Sequence, residues 1–123
     1  MQGMRFTYSV HLHGTLAANA RGEYILPCAA AFVGVSTSNS AATNGTLEVG
    51  TSADRDGILD AVDVGDSGTA TEFDQDDFNG ALATAGNAYH MAKGVIFTWD
   101  LDFDGSAGTA AANCSLVFNF LEG

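Results

Sequence analysis

The sequence predicts an all-β fold: a single-domain antiparallel β-sandwich over residues 1–123, jelly-roll-like in topology. Three observations carry this. Apolar and polar residues alternate with period two near both ends of the chain, Gly, Asn, Asp and Ser clusters break up the apolar segments between them, and no apolar 3.6-residue period persists anywhere. The length supplies one core and little more. Closure into a barrel is the alternative topology, and no internal repeat is detectable.

Phe6, Tyr8, Val10 and Leu12 alternate with Arg5, Thr7, Ser9, His11 and His13, which defines a half-buried strand. Glu23 to Leu26, closed by the single proline Pro27, predicts a second short strand, and Ala29 to Val35 a third that is apolar on both faces. Residues 36–45 are rich in Ser, Asn, Thr and Ala and predict an exposed loop, with Asn44-Gly45 suited to a tight turn of positive φ. Thr46 to Thr51 resumes as a strand. Asp54-Arg55-Asp56-Gly57 predicts a polar turn, and Ile58 to Val64 a strand in competition with a short helix.

Residues 65–80 predict an acidic loop anchored by Phe73 and Phe78, and residues 81–88 are small enough to hold one helical turn. The strongest strand follows, with Val95, Phe97, Trp99, Leu101 and Phe103 forming an apolar row that ends at Gly105. After a small-residue loop, Cys114, Leu116, Phe118 and Phe120 form the last apolar row. These two strands are long enough to pair with each other as a hairpin.

Composition narrows the function. Hydrophobic residues make up 46% and charged residues 15%, so the chain folds rather than behaving as a disordered polyanion. Four Lys and Arg against 15 Asp and Glu give a net charge of −11, which opposes a nucleic-acid partner. The chain shows no apolar run of membrane-spanning length and no export signal after Met1, so no membrane partner and assembly inside a host cell are expected. Cys28 and Cys114 lack the spacing of a zinc or redox motif and read as two buried free thiols, a disulfide being the alternative.

Several residue groups are candidates for chemistry. Asp100, Asp102 and Asp104, followed by Gly105, resemble the opening of a calcium loop and are the candidate metal ligands; the bidentate glutamate of such a loop is missing, since its position falls on Ala111. The competing reading is a solvated acidic strand face. Apart from a structural Ca2+ there, no cofactor is expected. Glu72, Asp74, Asp76 and Asp77, and the pair Asp54 and Asp56, read as solvated surface. Nothing in the sequence places two carboxylates across a sugar-sized cleft, as glycoside hydrolysis requires. His11 and His13 share a strand face and would offer two imidazoles to one metal, with no third ligand assignable and His90 remote. No nucleophile elbow, Cys/His dyad or phosphate-binding glycine motif is present, and no enzymatic activity is expected.

The order of segments resembles small virion proteins of tailed bacteriophages, of the capsid-decoration or head-fibre type. The segments are Leu-Pro-Cys-Ala-Ala-Ala-Phe-Val-Gly-Val-Ser at 26–36, a Ser/Asn/Ala/Thr loop, Thr-Leu-Glu-Val-Gly-Thr-Ser at 46–52 and Asp-Arg-Asp-Gly-Ile-Leu at 54–59. They continue with Lys-Gly-Val-Ile-Phe-Thr-Trp-Asp-Leu-Asp-Phe-Asp-Gly at 93–105 and Ala-Asn-Cys-Ser-Leu-Val-Phe-Asn-Phe-Leu-Glu-Gly at 112–123. The resemblance implies a virion structural protein, most specifically a capsid decoration or cementing protein, found in the virion after assembly in the host cytoplasm. Its implied partners are its own copies, as a homotrimer, and the major capsid protein or another virion protein. It carries over no catalytic residues. The alternative is a carbohydrate- or receptor-binding sandwich of a fibre or tail, whose stacking platforms would be Tyr24, Tyr89 or Trp99, although Trp99 sits in the apolar row and belongs to the core.

Overall fold

A computed structural model describes residues 4–123. Within them the strands are β1 (Arg5–Thr15), β2 (Ala20–Ile25), β3 (Ala30–Ser38), β4 (Thr46–Thr51), β5 (Asp54–Asp63), β6 (Thr71–Asp74), β7 (Tyr89–Met91), β8 (Ile96–Asp102) and β9 (Ala112–Glu122). One turn of 3-10 helix, Gln75–Asp77, follows β6. Among the described residues no helix is long and apolar enough to cross a membrane.

The strands form two antiparallel sheets, β1-β9-β3-β6 with β7 also on β3, and β2-β8-β4-β5. Most connections carry the chain from one sheet to the other, and the two strand orders are those of a jelly roll with β7 added. The inward rows meet in one core. Phe32, Phe97, Phe118 and Phe120 are fully buried there. Phe97 meets Phe118 and Phe120 edge-on at centroid distances of 5.3 and 5.0 Å, the geometry favoured by the ring quadrupole. Phe78, an anchor expected from the sequence, stacks on Phe32 at 5.5 Å.

The expected hairpin between the last two long strands does not form. β8 and β9 lie in different sheets, and their phenylalanines meet across the core instead. Alternation specifies an inward row on each strand, but it does not specify which strand lies alongside, and the intervening loop is long enough to cross the sandwich. β9 pairs with β1 on one side and β3 on the other.

Other departures have local causes. β3 continues through Ser36–Ser38 into the segment expected to be loop, because the Thr37 hydroxyl donates to the Val64 carbonyl at 2.9 Å and is satisfied while buried. Asn39, also buried, donates to Gly65 O and accepts from Ala41 N. Asn44-Gly45 does not adopt positive φ. Gly45 is needed for another reason: a β-carbon there would lie 2.9 Å from the Asp102 carbonyl oxygen. Asp54 to Gly57 is strand rather than turn. The single helical turn falls at 75–77 rather than within 81–88, because Asp74 and Asp77 cap it reciprocally.

The two flanks of the sandwich differ. Phe6, Tyr8, Val10 and Leu12 of β1 are half-buried, whereas their register partners Phe120, Phe118, Leu116 and Cys114 on β9 are completely buried.

Candidate functional site

The outer face of the β2-β8-β4-β5 sheet concentrates the charge of the molecule. In register across it, Arg21 faces Asp100, and Asp100 faces Glu48. On β5 a bulge opposite Glu48 places Ala61 at φ +53 and brings Asp60 alongside. A second irregularity, between the Val49–Leu59 and Thr51–Asp54 pairs, lifts Asp54–Ile58 over the sheet. Gly50 permits this crossing, since a β-carbon there would lie 2.1 Å from the Asp54 carbonyl oxygen.

The crossing delivers Arg55 to the centre of the face. Its Nε donates to Asp100 Oδ2 at 2.8 Å, and its Nη2 donates to Asp100 Oδ1 and to the Trp99 carbonyl at 3.3 Å each. Nη1 lies 3.7 Å from Glu23. Bidentate geometry and partial burial make the Arg55–Asp100 pair stronger than an ordinary surface ion pair.

Beside it, Glu48, Asp56 and Asp60 bring ligand oxygens within 4.8 Å of one another, the group of three among the described residues with the spacing to hold a cation. Burial raises the Glu48 pKa above its ordinary 4.5, reinforced by a hydrogen bond shared with Asp60 and by the charges of Asp56, Asp60 and Asp100. The pKa of Asp54 is likewise raised, chiefly by a hydrogen bond shared with Asp56. Glu48 and Asp54 therefore hold their protons more readily than isolated carboxyls would. A shallow depression of about 310 Å3, lined by Asn19, Arg21, Glu48, Asp100 and Asp102 among others, adjoins it.

The candidate ligands Asp100, Asp102 and Asp104 have separate tasks. Both Asp100 oxygens face Arg55. Asp102 is exposed and its Oδ1 accepts from Asp104 N at 3.0 Å, in a turn where Asp104 takes φ +45. His11 and His13 share the outer face of β1 with centroids 6.2 Å apart, and His11 Nδ1 lies 2.9 Å from the Ser115 hydroxyl. His90, on β7, is across that sheet beyond β3. Asp74 and Asp77 serve the 3-10 turn. Trp99 is core, donating from Nε1 to the Tyr8 hydroxyl at 3.4 Å, while Tyr24 is stacked against Tyr8 at 4.4 Å. Tyr89 is half-buried. Cys28 and Cys114 are both free, but only Cys114 is fully buried.

Sequence reasoning missed Glu48 and Asp60, and treated Arg55 as a turn residue. The outward phase of Glu48 and Asp60 was readable from alternation. Their proximity depends on the β5 bulge, for which Ala61 gives no signal.

No protein-family model matches the chain, and no curated protein matches its sequence. Among solved structures, the cyanophage Pam1 capsid asymmetric unit contains a chain similar in fold, with a TM-score of 0.56 over 99% of this chain and 87% of that one at 18% identity. The infectious bursal disease virus VP2 subviral particle matches 98% of this chain and 33% of that one at 11% identity and a TM-score of 0.31, too distant to carry an argument.

Proposed function

We propose that the chain is a virion structural protein, acting as a capsid decoration or cementing protein that associates with its own copies, expected as trimers, and docks on the major capsid protein or another virion protein. Its place is the virion, after assembly in the host cytoplasm. The observation that carries the reading is the fold match to a chain of a phage capsid asymmetric unit, which runs over nearly the whole of both chains rather than over one domain of a larger molecule. The segment order read from the sequence points the same way.

Surface chemistry supports a structural rather than catalytic role. The acidic face is tied down by Arg55 through both oxygens of Asp100, and the His11–Ser115 contact lies exposed on the face of a sheet. A net charge of −11 suits a protein held at high local density.

Adding the purified chain to capsids that lack it tests the reading. Saturable binding in a fixed ratio to the capsid protein, with a higher temperature of genome release, is the expected result. Capsids that pellet without the chain at every concentration would overturn it.

A further inference from the structure

We infer that β1 is an assembly edge, pairing antiparallel with β1 of a second copy about a two-fold axis at Val10 so that two copies share one continuous sheet. This rests on the assembly reading above and names its surface and its occupant. The contact is two-fold, and distinct from any three-fold contact made elsewhere on the molecule.

A sheet edge exposes a row of unpaired backbone groups, and proteins blunt such edges with short strands, bulges, covering loops or charge. Three of the four edges here are blunted. The far side of β3 is covered by β6 and β7, of four and three residues. β5 is bulged and capped by the loop after the 3-10 turn, whose Asn79 and Gly80 donate to Ile58 O and whose Leu82 donates to Gly57 O. β2 has six residues, carries Arg21 and Glu23 outward and runs into Pro27. β1, in contrast, runs regularly for eight residues from Arg5 to Leu12 before an irregularity between Leu12 and Thr15, has no proline and no acidic side chain, and among the described residues pairs with β9 alone.

The direction of its backbone groups follows from the register. Met4 O accepts from Glu122 N, and Gly14 N and Leu16 N donate toward the β9 side. Over the regular stretch that ends at Leu12, even-numbered residues therefore turn their amides toward β9, and Arg5, Thr7, Ser9 and His11 turn theirs to the open edge. Those four are the donors an incoming strand would meet.

The sequence of β1 is complementary to itself about Val10. With Val10 on the two-fold axis, the regular stretch sets Ser9 against His11 of the second copy on the outer face, and on the inward side Tyr8 faces Leu12 and Val10 faces its own image, apolar against apolar. Moving the axis to His11 sets two imidazole rings opposite one another and draws the irregular residues after Leu12 into the pairing. The pairing would also cover the half-buried row of β1.

A cysteine cross-link tests the register. In a Cys28→Ser background, Val10→Cys places the new thiols in a non-hydrogen-bonded pair, where Cα atoms lie about 4.5 Å apart, close enough for a disulfide. Mild oxidation should give a covalent dimer of the 12.7 kDa chain. Thr7→Cys, six residues and about 20 Å from its image, should not cross-link. Ser9→Pro removes an outward amide and spares the pairing with β9, so it should keep the native circular dichroism and weaken self-association roughly tenfold or more. Self-association that persists without a Val10→Cys cross-link, or a Thr7→Cys cross-link of equal yield, overturns the pairing and leaves the assembly reading standing. A chain that sediments as a monomer at every concentration overturns the pairing, and if it also fails to bind capsids the assembly reading falls with it.

Discussion

Gly22 and Trp99 face each other across β2 and β8 so closely that a β-carbon on Gly22 would lie 2.5 Å from the indole Nε1. The indole fills the space a side chain would take, and it ties the two sheets together through Tyr8. Gly22→Ala must displace the ring, and overpacking of this kind costs about 1–3 kcal/mol. Urea unfolding followed by the fluorescence of Trp99, the single tryptophan, should show the lower midpoint with an unchanged slope.

Arg55 holds Asp100 through two hydrogen bonds and also donates to the Trp99 carbonyl. Arg55→Met leaves Asp100 beside Glu48 with only the exposed Arg21, 3.7 Å away, as a cation, and should destabilise the fold by about 1.5–3 kcal/mol. Combining it with Asp100→Asn should recover part of that loss, since the surviving charge is then gone. A double-mutant cycle by thermal unfolding measures the coupling; additive effects would show that Arg55 acts by packing alone.

Glu48 has a pKa raised above 4.5 by burial and by its acidic neighbours. A carboxyl that binds its proton more tightly when folded stabilises fully below its unfolded pKa, and that contribution is lost as pH rises through the folded value. Asp54 acts in the same direction from its ordinary 3.8. Glu48→Gln should therefore raise the Tm at pH 7, by the equivalent of about 0.5 kcal/mol once solvent screening is allowed for. The advantage should vanish in calorimetry below pH 4.5, and a gain of equal size at pH 4 and pH 7 would refute the assignment.

A calcium ion at Asp100, Asp102 and Asp104 is a proposal with a direct test. Arg55 already takes both Asp100 oxygens, so calcium or chelator at millimolar concentration should leave the Tm within about one degree. A larger rise that is abolished by Asp102→Asn would establish the site.

Burial pushes the Cys114 thiol pKa up, and the side chain is fully enclosed in the core opposite Leu12 of β1. Thiol reagents should label Cys28 in the folded protein and reach Cys114 only at the rate of unfolding. Mass spectrometry of the labelled peptides distinguishes the two, and rapid labelling of both would contradict the packing of β9.

The inward rows of β1, β8 and β9 were legible because alternation is a property of a strand by itself. Pairing is a property of two strands, and the mistaken hairpin between β8 and β9 shows where that limit falls. β6 escaped notice because Thr71–Asp74 is short and its alternation is carried by Phe73 alone. On the acidic face, Asp100 was identified from its own strand. Its engagement by Arg55, 45 residues earlier, follows from a crossing that Gly50 allows and no periodic signal announces.

The pairing of β1 with β9 joins segments as remote as His11 and Ser115, 104 positions apart. A ribosome adding about 5–20 residues per second needs roughly 5–20 s to bridge that interval. Docking of a strand into an all-β sandwich takes milliseconds to seconds once both partners exist. Maturation of this molecule is thus gated by translation: its earliest ribbon emerges with Phe6, Tyr8, Val10 and Leu12 unsheltered, and waits for the latest one to close over them.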